Sequence, residues 1–234
     1  YQLIFYDQRA CGRSSVAIDS ASMNLDGFVE DIEYIRRSLN LEKINVLGHS
    51  WGGLIATKYA IAHDDKLDRM ILSSPMAPST LDWMKENAEV AKLTAPVDQR
   101  RLNSLSSSGV LRTEDPSPYI KEMLELSFKS QMNDKAKLSQ LNLFLPKDYM
   151  LRSGMFGLLS ADLNSFDLWA NLAQVKSETL VIYGDIELGG LMHGEKLASS
   201  FTNGKFQSVP KSGHFPFIES PEDYFKKVRS FLEE

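Results

Sequence analysis

Short apolar runs alternate along the chain with segments of helical periodicity. Each run is brief and almost wholly apolar, which is typical of strands in a parallel sheet whose two faces are both covered. The alternation therefore predicts an α/β fold, with a mostly parallel sheet and helices on both of its faces. The predicted strands are residues 3–6, 44–47, 70–72, 180–183 and 206–209.

Apolar residues at helical spacing predict the helices between these strands. Asn24 or Asp26 is placed to cap a first helix, whose apolar positions are Phe28, Ile32, Ile35 and Leu39. Residues 54–62 predict a second, buried helix. Near the C-terminus, Ser220 and Pro221 suit a helix start. The apolar face of that last helix is formed by Tyr224, Phe225, Val228, Phe231 and Leu232.

Residues 77–171 interrupt the alternation. They carry helical patterns without a convincing strand, and prolines and glycines divide them into several short helices. The simplest interpretation is a helical cap inserted between two strands of the sheet. The chain would then consist of a core, residues 1–76 and 172–234, and a cap, residues 77–171.

Composition narrows the possible partners. The 234 residues suffice for one domain with an inserted subdomain, and the hydrophobic fraction of 43% is ordinary. A net charge of −5 without a basic cluster argues against a nucleic-acid partner. No apolar run approaches the roughly 20 residues that a membrane helix needs. A single cysteine, Cys11, rules out an internal disulfide framework.

The chain starts inside an apolar run, at Tyr1, without an initiator methionine. We therefore expect further N-terminal strands and an oxyanion loop to precede Tyr1 in the complete protein. A targeting segment would lie there too, so the cytoplasm is only the default expectation for its location.

The strongest chemical signal is a G-x-S-x-G pattern formed by Gly48, Ser50 and Gly52 between a predicted strand and a predicted helix. This context predicts a sharp turn that holds a serine in a strained backbone conformation. We expect a Cβ at Gly48 or Gly52 to clash with neighbouring backbone. Ser50 is the candidate nucleophile, and the backbone N–H of Trp51, at a helix N-terminus, is the candidate oxyanion donor.

A general base is expected among four histidines. His214 follows the last predicted strand, at the sheet edge where ligands bind in such folds, and histidine changes charge near neutral pH. His49, beside Ser50, is expected to point away from the site. His63 is expected at a solvated helix end, and His193 lies in a glycine-flanked segment. His214 is therefore the candidate base.

The acid that orients the base must accept the proton on its Nδ1 atom. Asp185 and Glu187 both follow the strand at residues 180–183, and either carboxylate can fill that role in the order serine, acid, histidine. Aspartate is the commoner residue type in this position, which favours Asp185.

Three segments resemble the proline iminopeptidase-like branch of the α/β-hydrolase serine hydrolases. Residues 7–14 resemble its D-Q-R-G-x-G-x-S segment, with Ala10 replacing the usual glycine. Residues 48–53 resemble its nucleophile turn, and residues 213–222 its histidine loop. The resemblance implies an α/β-hydrolase fold with Ser50, His214 and an acid three residues after Gly184. That spacing selects Glu187, and Asp185 stays the alternative.

The chain departs from the branch in its substrate-binding residues. No H-G-G-P-type oxyanion loop is found, and residues 153–157 carry no acid where the branch holds the substrate's free α-amine. If Asp185 were the triad acid, Glu187 could anchor that amine. The weaker cap candidates are Glu114, Glu122 and Glu125.

Residues near the first of these segments have structural interpretations. Asp7 and Arg9 are expected to form an ion pair or a loop brace, and Cys11 to be a small packed side chain.

The sequence thus predicts a serine hydrolase that works through an acyl-enzyme on a small-molecule or short-peptide substrate. The resemblance favours a proline iminopeptidase-like aminopeptidase or amidase. The alternatives are a carboxylesterase and a ligand-binding homologue without turnover. No metal or cofactor is expected, because His and carboxylate residues do not cluster at ligand spacing. The oligomeric state is left open.

Overall fold

A parallel sheet of four strands forms the centre of the molecule in the computed structural model, which describes residues 1–233. The strands lie side by side in chain order, and each neighbouring pair is parallel. The predicted α/β architecture, a parallel sheet with helices, is confirmed. The strands are β1 (Ile44–His49), β2 (Leu67–Ser73), β3 (Glu178–Gly184) and β4 (Gly204–Val209).

Ten α-helices are found in the described residues. Asn24, rather than Asp26, caps the first of them, since its side chain accepts a hydrogen bond from the Gly27 N–H. The helices are α1 (Leu25–Ser38), α2 (Trp51–His63), α3 (Thr80–Lys92), α4 (Pro96–Ser107), α5 (Ser117–Lys129), α6 (Tyr149–Phe156), α7 (Ser160–Leu163), α8 (Glu195–Ser200), α9 (Pro216–Glu219) and α10 (Pro221–Glu233).

Helices cover both faces of the sheet. Successive residues of β2 point to opposite faces, so Leu72 packs in a core with α1 and α2, while Ile71 packs in a core with α10. Only β2 and β3 are buried along most of their length, and the expectation that every strand is fully covered is wrong for β1 and β4. These two are outer strands, and Leu47 of β1 is half exposed.

Residues 3–6, predicted as a strand, are not one in the structure. They form no ladder with β1, and Phe5 is 88% exposed. Ile4, Tyr6 and Val46 of β1 line a shared groove of about 210 Å³, so this segment lies near β1 without pairing with it. The apolar pattern of a strand is therefore present without its hydrogen-bonded neighbour.

The chain between β2 and β3 contains helices α3 to α7 and, among the described residues 77–171, no strand of the sheet. An isolated antiparallel bridge between Ser79 and Asp167 brings the two ends of this region together. Ser79 also caps α3, accepting a hydrogen bond from the Asp82 N–H. We interpret the region as a helical cap on a core formed by the rest of the chain.

Candidate active site

The carboxyl ends of the strands meet at one edge of the sheet. In the strand register, His49 at the end of β1 lies beside Ser73 of β2, and Ser73 lies beside Ile182 of β3. Loops that leave this edge carry Ser50, Glu187 and His214. In open parallel sheets this is the edge at which ligands bind, so the fold itself gathers the candidate residues.

Ser50 occupies the turn between β1 and α2 in a conformation that non-glycine residues rarely adopt, with φ +53° and ψ −119°. Three backbone hydrogen bonds hold it there. Its N–H donates to Ser73 O at 3.1 Å, and its carbonyl accepts from the N–H groups of Gly53 and Met76 at 2.9 and 3.0 Å. Such strain persists only where the surrounding structure fixes it, and it marks functional turns.

Close backbone approach explains two glycines of this turn. A Cβ at Gly48 would clash with the backbone of residue 52, and a Cβ at Gly53 would clash with Pro75. The expectation for Gly52 is wrong, because nothing lies within 4 Å of the place where its Cβ would be. The third glycine of the run, and not the second, lets α2 pack against the loop after β2.

Trp51 is the first residue of α2, where backbone N–H groups have no partner within the helix. Its indole Nε1 donates to Gln8 Oε1 at 3.0 Å, and its ring meets Phe28 edge to face. Gln8 and Phe28 therefore hold the Trp51 side chain in place. The backbone N–H, with the positive end of the helix dipole, is left in position for a negatively charged oxygen.

His214 and Glu187 form a direct hydrogen-bonded pair. The Nδ1 atom of His214 donates to Glu187 Oε1 at 2.7 Å, which leaves Nε2 as the proton acceptor of the ring. The other carboxylate oxygen, Oε2, accepts from the Ser74 hydroxyl at 2.6 Å. Ser74, in the loop after β2 with φ +44°, is a site residue that the sequence reasoning missed.

Asp185 lies apart from this pair. Its Oδ1 accepts from the backbone N–H of Ser212 at 3.2 Å, and so it braces the loop that carries His214. Of the two candidate acids, Glu187 is the one in contact with His214. The idea that Glu187 anchors a substrate amine required Asp185 to be the partner of His214, and in the structure Glu187 is that partner.

The loop that carries His214 is tied to the cap. Backbone N–H groups of Gly213, Asn133 and Asp134 all donate to the buried carboxylate of Glu219, at 2.8, 2.7 and 2.9 Å. The His214 N–H donates to Gln131 O at 2.9 Å. A carboxylate and a carbonyl thus hold this loop against the segment after α5.

His49 contacts the site, contrary to the expectation that it points away. Its Nε2 donates to the His214 carbonyl oxygen at 2.8 Å, and the two rings lie 4.8 Å apart. Burial, and next the neighbouring His214, lower the pKa of His49 to about 3, so it stays neutral. His63 is also less solvated than expected, since its ring packs on Tyr59 with centroids 5.1 Å apart.

Within residues 1–233 no hydrogen bond joins the Ser50 hydroxyl to His214. In unliganded hydrolases the bond between nucleophile and base is often long and tightens only when substrate binds. The structure brings the strained serine and the His214–Glu187 pair to the same sheet edge through His49, which is covalently next to Ser50 and bonded to His214.

Asp7 and Arg9 were expected to form an ion pair or a loop brace. They do not pair with each other. Arg9 forms an ion pair with Asp31 of α1 at 2.7 Å. Asp7 accepts from the Arg13 N–H at 2.9 Å and from the Ser14 hydroxyl through its carbonyl at 2.6 Å. Each therefore braces the loop separately.

The carboxylates suggested in the cap lie on its surface. Glu122 is paired with Arg101, Glu125 lies near Lys121, and Glu114 is exposed. A different cap carboxylate, Glu86 of α3, is largely buried and lies against Gly189, two residues beyond Glu187. Sequence reasoning missed it, because its spacing on α3 gives no signal that separates it from its exposed neighbours.

Metal-binding clusters and membrane-spanning helices are both absent from residues 1–233. No group of three or more His, Cys, Asp or Glu side chains is placed to hold a metal ion. No helix in this range is long and apolar enough to cross a membrane.

Comparison with known proteins agrees with this fold. The family model described as "alpha/beta hydrolase fold" matches residues 1–221. A proline iminopeptidase of Heyndrickxia coagulans is 28% identical over 234 residues, covering 98% of this chain and 81% of that protein. The chain belongs to the α/β-hydrolase family and is similar to proline iminopeptidases.

Solved structures extend the likeness at the level of the fold. A proline iminopeptidase of Mycobacterium smegmatis superposes with a TM-score of 0.68 at 17% identity, over 97% of this chain and 78% of that one. An esterase from Exiguobacterium antarcticum gives a TM-score of 0.63 at 21% identity, over 97% and 80%. The same fold therefore carries both peptidase and esterase names among these neighbours.

Proposed function

We propose that the chain is a serine hydrolase that works through an acyl-enzyme, with Ser50 as nucleophile, His214 as base and Glu187 as the orienting acid. The observation that carries the proposal is the 2.7 Å bond from His214 Nδ1 to Glu187, at the sheet edge where Ser50 sits in a strained turn. That bond fixes the tautomer of His214 whose Nε2 accepts a proton.

The reaction follows from these positions. His214 Nε2 takes the Ser50 hydroxyl proton as Oγ attacks the substrate carbonyl, and the Trp51 N–H stabilises the oxyanion that forms. Collapse breaks the bond to the leaving group, which receives the proton from His214. A water molecule, deprotonated by His214, then attacks the acyl-enzyme and releases Ser50.

For the substrate, we propose a small aminoacyl compound with an N-terminal proline or a similar residue, cleaved as an amide. The support is the similarity to proline iminopeptidases over 98% of the chain. A carboxylesterase is the second candidate. It is favoured by the bonds of Glu187 to His214 and Ser74, which make Glu187 part of the proposed triad and not an anchor for a substrate amine.

Two chromogenic substrates separate the candidates. Purified protein should release p-nitroaniline from proline p-nitroanilide with a higher kcat/KM than it releases p-nitrophenol from p-nitrophenyl butyrate, and Ser50→Ala should lack both activities. Faster hydrolysis of the ester alone would assign the protein to the esterases. Activity that survives Ser50→Ala would overturn the nucleophile. A melting shift with either compound, but no product, would indicate a binding protein.

A further inference from the structure

Glu86 is a carboxyl group without a matched partner, next to the candidate site. It lies on α3, the first helix of the cap, with 16% of its side chain exposed. Its Oε2 atom is buried and has no hydrogen-bond partner in the described residues. An ionised carboxylate in such a place is costly unless a cation or a donor compensates it.

The packing of Glu86 on the loop after β3 depends on a glycine. A Cβ at Gly189 would stand 2.7 Å from Glu86 Oε1, so the glycine lets the carboxyl lie directly against this backbone. Gly189 is two residues beyond Glu187, and the same virtual Cβ would lie 3.1 Å from the ring of Tyr183. Glu86 is therefore seated against the segment that carries the proposed triad acid.

Ionisable groups face Glu86 from several neighbouring segments. Glu187 and His214 act on it from the loops after β3 and β4. Tyr183 of β3 is also near, since burial, and next the charges of Glu187 and Glu86, raise the pKa of its hydroxyl. His193 places Nε2 3.9 Å from Oε2, too far for a hydrogen bond. On its own helix the neighbouring ionisable groups are Asp82, Lys85 and Glu89.

His193 does not neutralise Glu86. Its ring is 8% exposed, and burial lowers its pKa, so it is uncharged near neutral pH. Burial, and next the charge of Glu187, raise the pKa of Glu86 to about 7, while His214 acts in the opposite sense. Glu86 thus gains and loses its proton in the pH range in which a histidine base works.

We propose that Glu86 is a positioning residue of the candidate site, whose negative charge stabilises the proton that His214 carries during turnover. When Glu86 is neutral, Glu187 alone faces the imidazolium. When Glu86 is ionised, two carboxylates face it, and the ring accepts the Ser50 proton more readily. This role rests on the proposed triad but not on the identity of the substrate.

The test compares Glu86→Gln with the original protein across pH, using the rate of fluorophosphonate labelling and kcat/KM on p-nitrophenyl butyrate. Gln mimics the protonated carboxyl. We expect equal rates near pH 5.5 and an advantage of about tenfold for the original protein near pH 8.5, with a midpoint near 7. Glu86→Asp, which keeps an ionisable group, should restore part of that advantage.

Glu89→Gln is the matched control, because Glu89 lies one turn further along α3, exposed and paired with Lys92. Its rates should equal those of the original protein at every pH. A constant ratio for Glu86→Gln, or a ratio that favours the variant at alkaline pH, would overturn the proposal. So would an effect confined to KM for substrates with a free amine, which would make Glu86 a substrate contact.

A carbon-13 NMR titration of the glutamate carboxyls tests the ionisation of Glu86 directly, without any turnover. One resonance, absent in Glu86→Gln, should titrate near pH 7, and Glu187→Gln should lower its midpoint by removing the neighbouring charge. A Glu86 resonance that titrates below pH 5, or that ignores Glu187→Gln, contradicts the inference. Failure of labelling at Ser50 would instead count against the proposed triad, and the titration would still show whether Glu86 ionises near pH 7 beside Glu187.

Discussion

Two largely buried glutamates of this molecule have opposite surroundings. Glu33 of α1 binds Arg36 through both oxygens, at 2.6 and 2.8 Å, and accepts from the Tyr59 hydroxyl at 3.2 Å. Glu86 at the sheet edge has an oxygen with no partner. The hydrogen bonds from Arg36 lower the pKa of Glu33 to about 2, whereas burial raises that of Glu86 to about 7.

The difference shows what burial of a carboxyl does in each region. Where donors surround it, as between α1 and α2, the charged form is stable and joins the two helices. Where donors are missing, the pKa of the carboxyl rises toward neutral pH, as is common for groups at functional sites. The first arrangement contributes to stability and the second to chemistry, and the following substitutions separate the two.

The largest effect is expected at Glu187, the acid bonded to His214. Glu187→Gln should reduce kcat by about 10⁴, since the base loses the group that fixes its tautomer and stabilises its charge. The matched control is Asp185→Asn, which should leave kcat within a few-fold because Asp185 contacts the Ser212 backbone and not His214. If Asp185→Asn alone is inactive in steady-state assays, the two roles are exchanged.

Glu33→Gln should affect stability and not chemistry. The substitution leaves Arg36 with the Leu41 and Glu42 carbonyls but without its carboxylate, and the free energy of unfolding should fall by about 2 to 3 kcal/mol at pH 7 in urea titrations. The exposed Glu30→Gln, on the same helix, serves as control. A loss of kcat per folded molecule in Glu33→Gln would contradict the division between the two regions.

The pH dependence of this effect has a fixed sign. Because the pKa of Glu33 is lower in the folded state, its contribution is present above the pKa of the unfolded chain, near 4.3, and disappears as pH falls through about 2. The difference between Glu33→Gln and the original protein should therefore shrink below pH 4.

The smallest effect is a gain in stability for Glu86→Gln. The folded-state pKa of Glu86 is raised, so its favourable contribution is complete below about pH 4.3 and is lost as pH rises through 7. Glu86→Gln should thus be more stable by about 2 kcal/mol at pH 8.5 and unchanged at pH 4, as measured by urea unfolding. Equal stability at pH 8.5 would show that Glu86 ionises there without cost.

Local patterns were enough to predict the four strands of the sheet, the helices α1, α2 and α10 and the position of Ser50. The strained turn, the strand before it and the helix after it are all encoded within residues 44–63. The resemblance to known hydrolases favoured Glu187, three residues after Gly184, over Asp185, and Glu187 is the carboxylate in contact with His214. Each of these features depends on neighbours in sequence, which is why the sequence alone carries them.

Features set by distant contacts could not be predicted. The partner of Arg9 is Asp31, 22 residues away, and Ser74 meets Glu187 across 113 residues. Residues 3–6 have the pattern of a strand, but pairing depends on what lies beside them. Glu86 looks like any exposed helix carboxylate until the packing of α3 on Gly189 is known.

Labelling with a fluorophosphonate tests the central claim, that Ser50 is a nucleophile activated by His214 and Glu187, most directly. Intact-mass analysis should show one adduct, mapped to Ser50 by peptide sequencing. Ser50→Ala should give none, Glu187→Gln should react far more slowly at the same residue, and the exposed Ser139→Ala should label normally. A folded protein that takes up no label, or an adduct that persists in Ser50→Ala, would contradict the account.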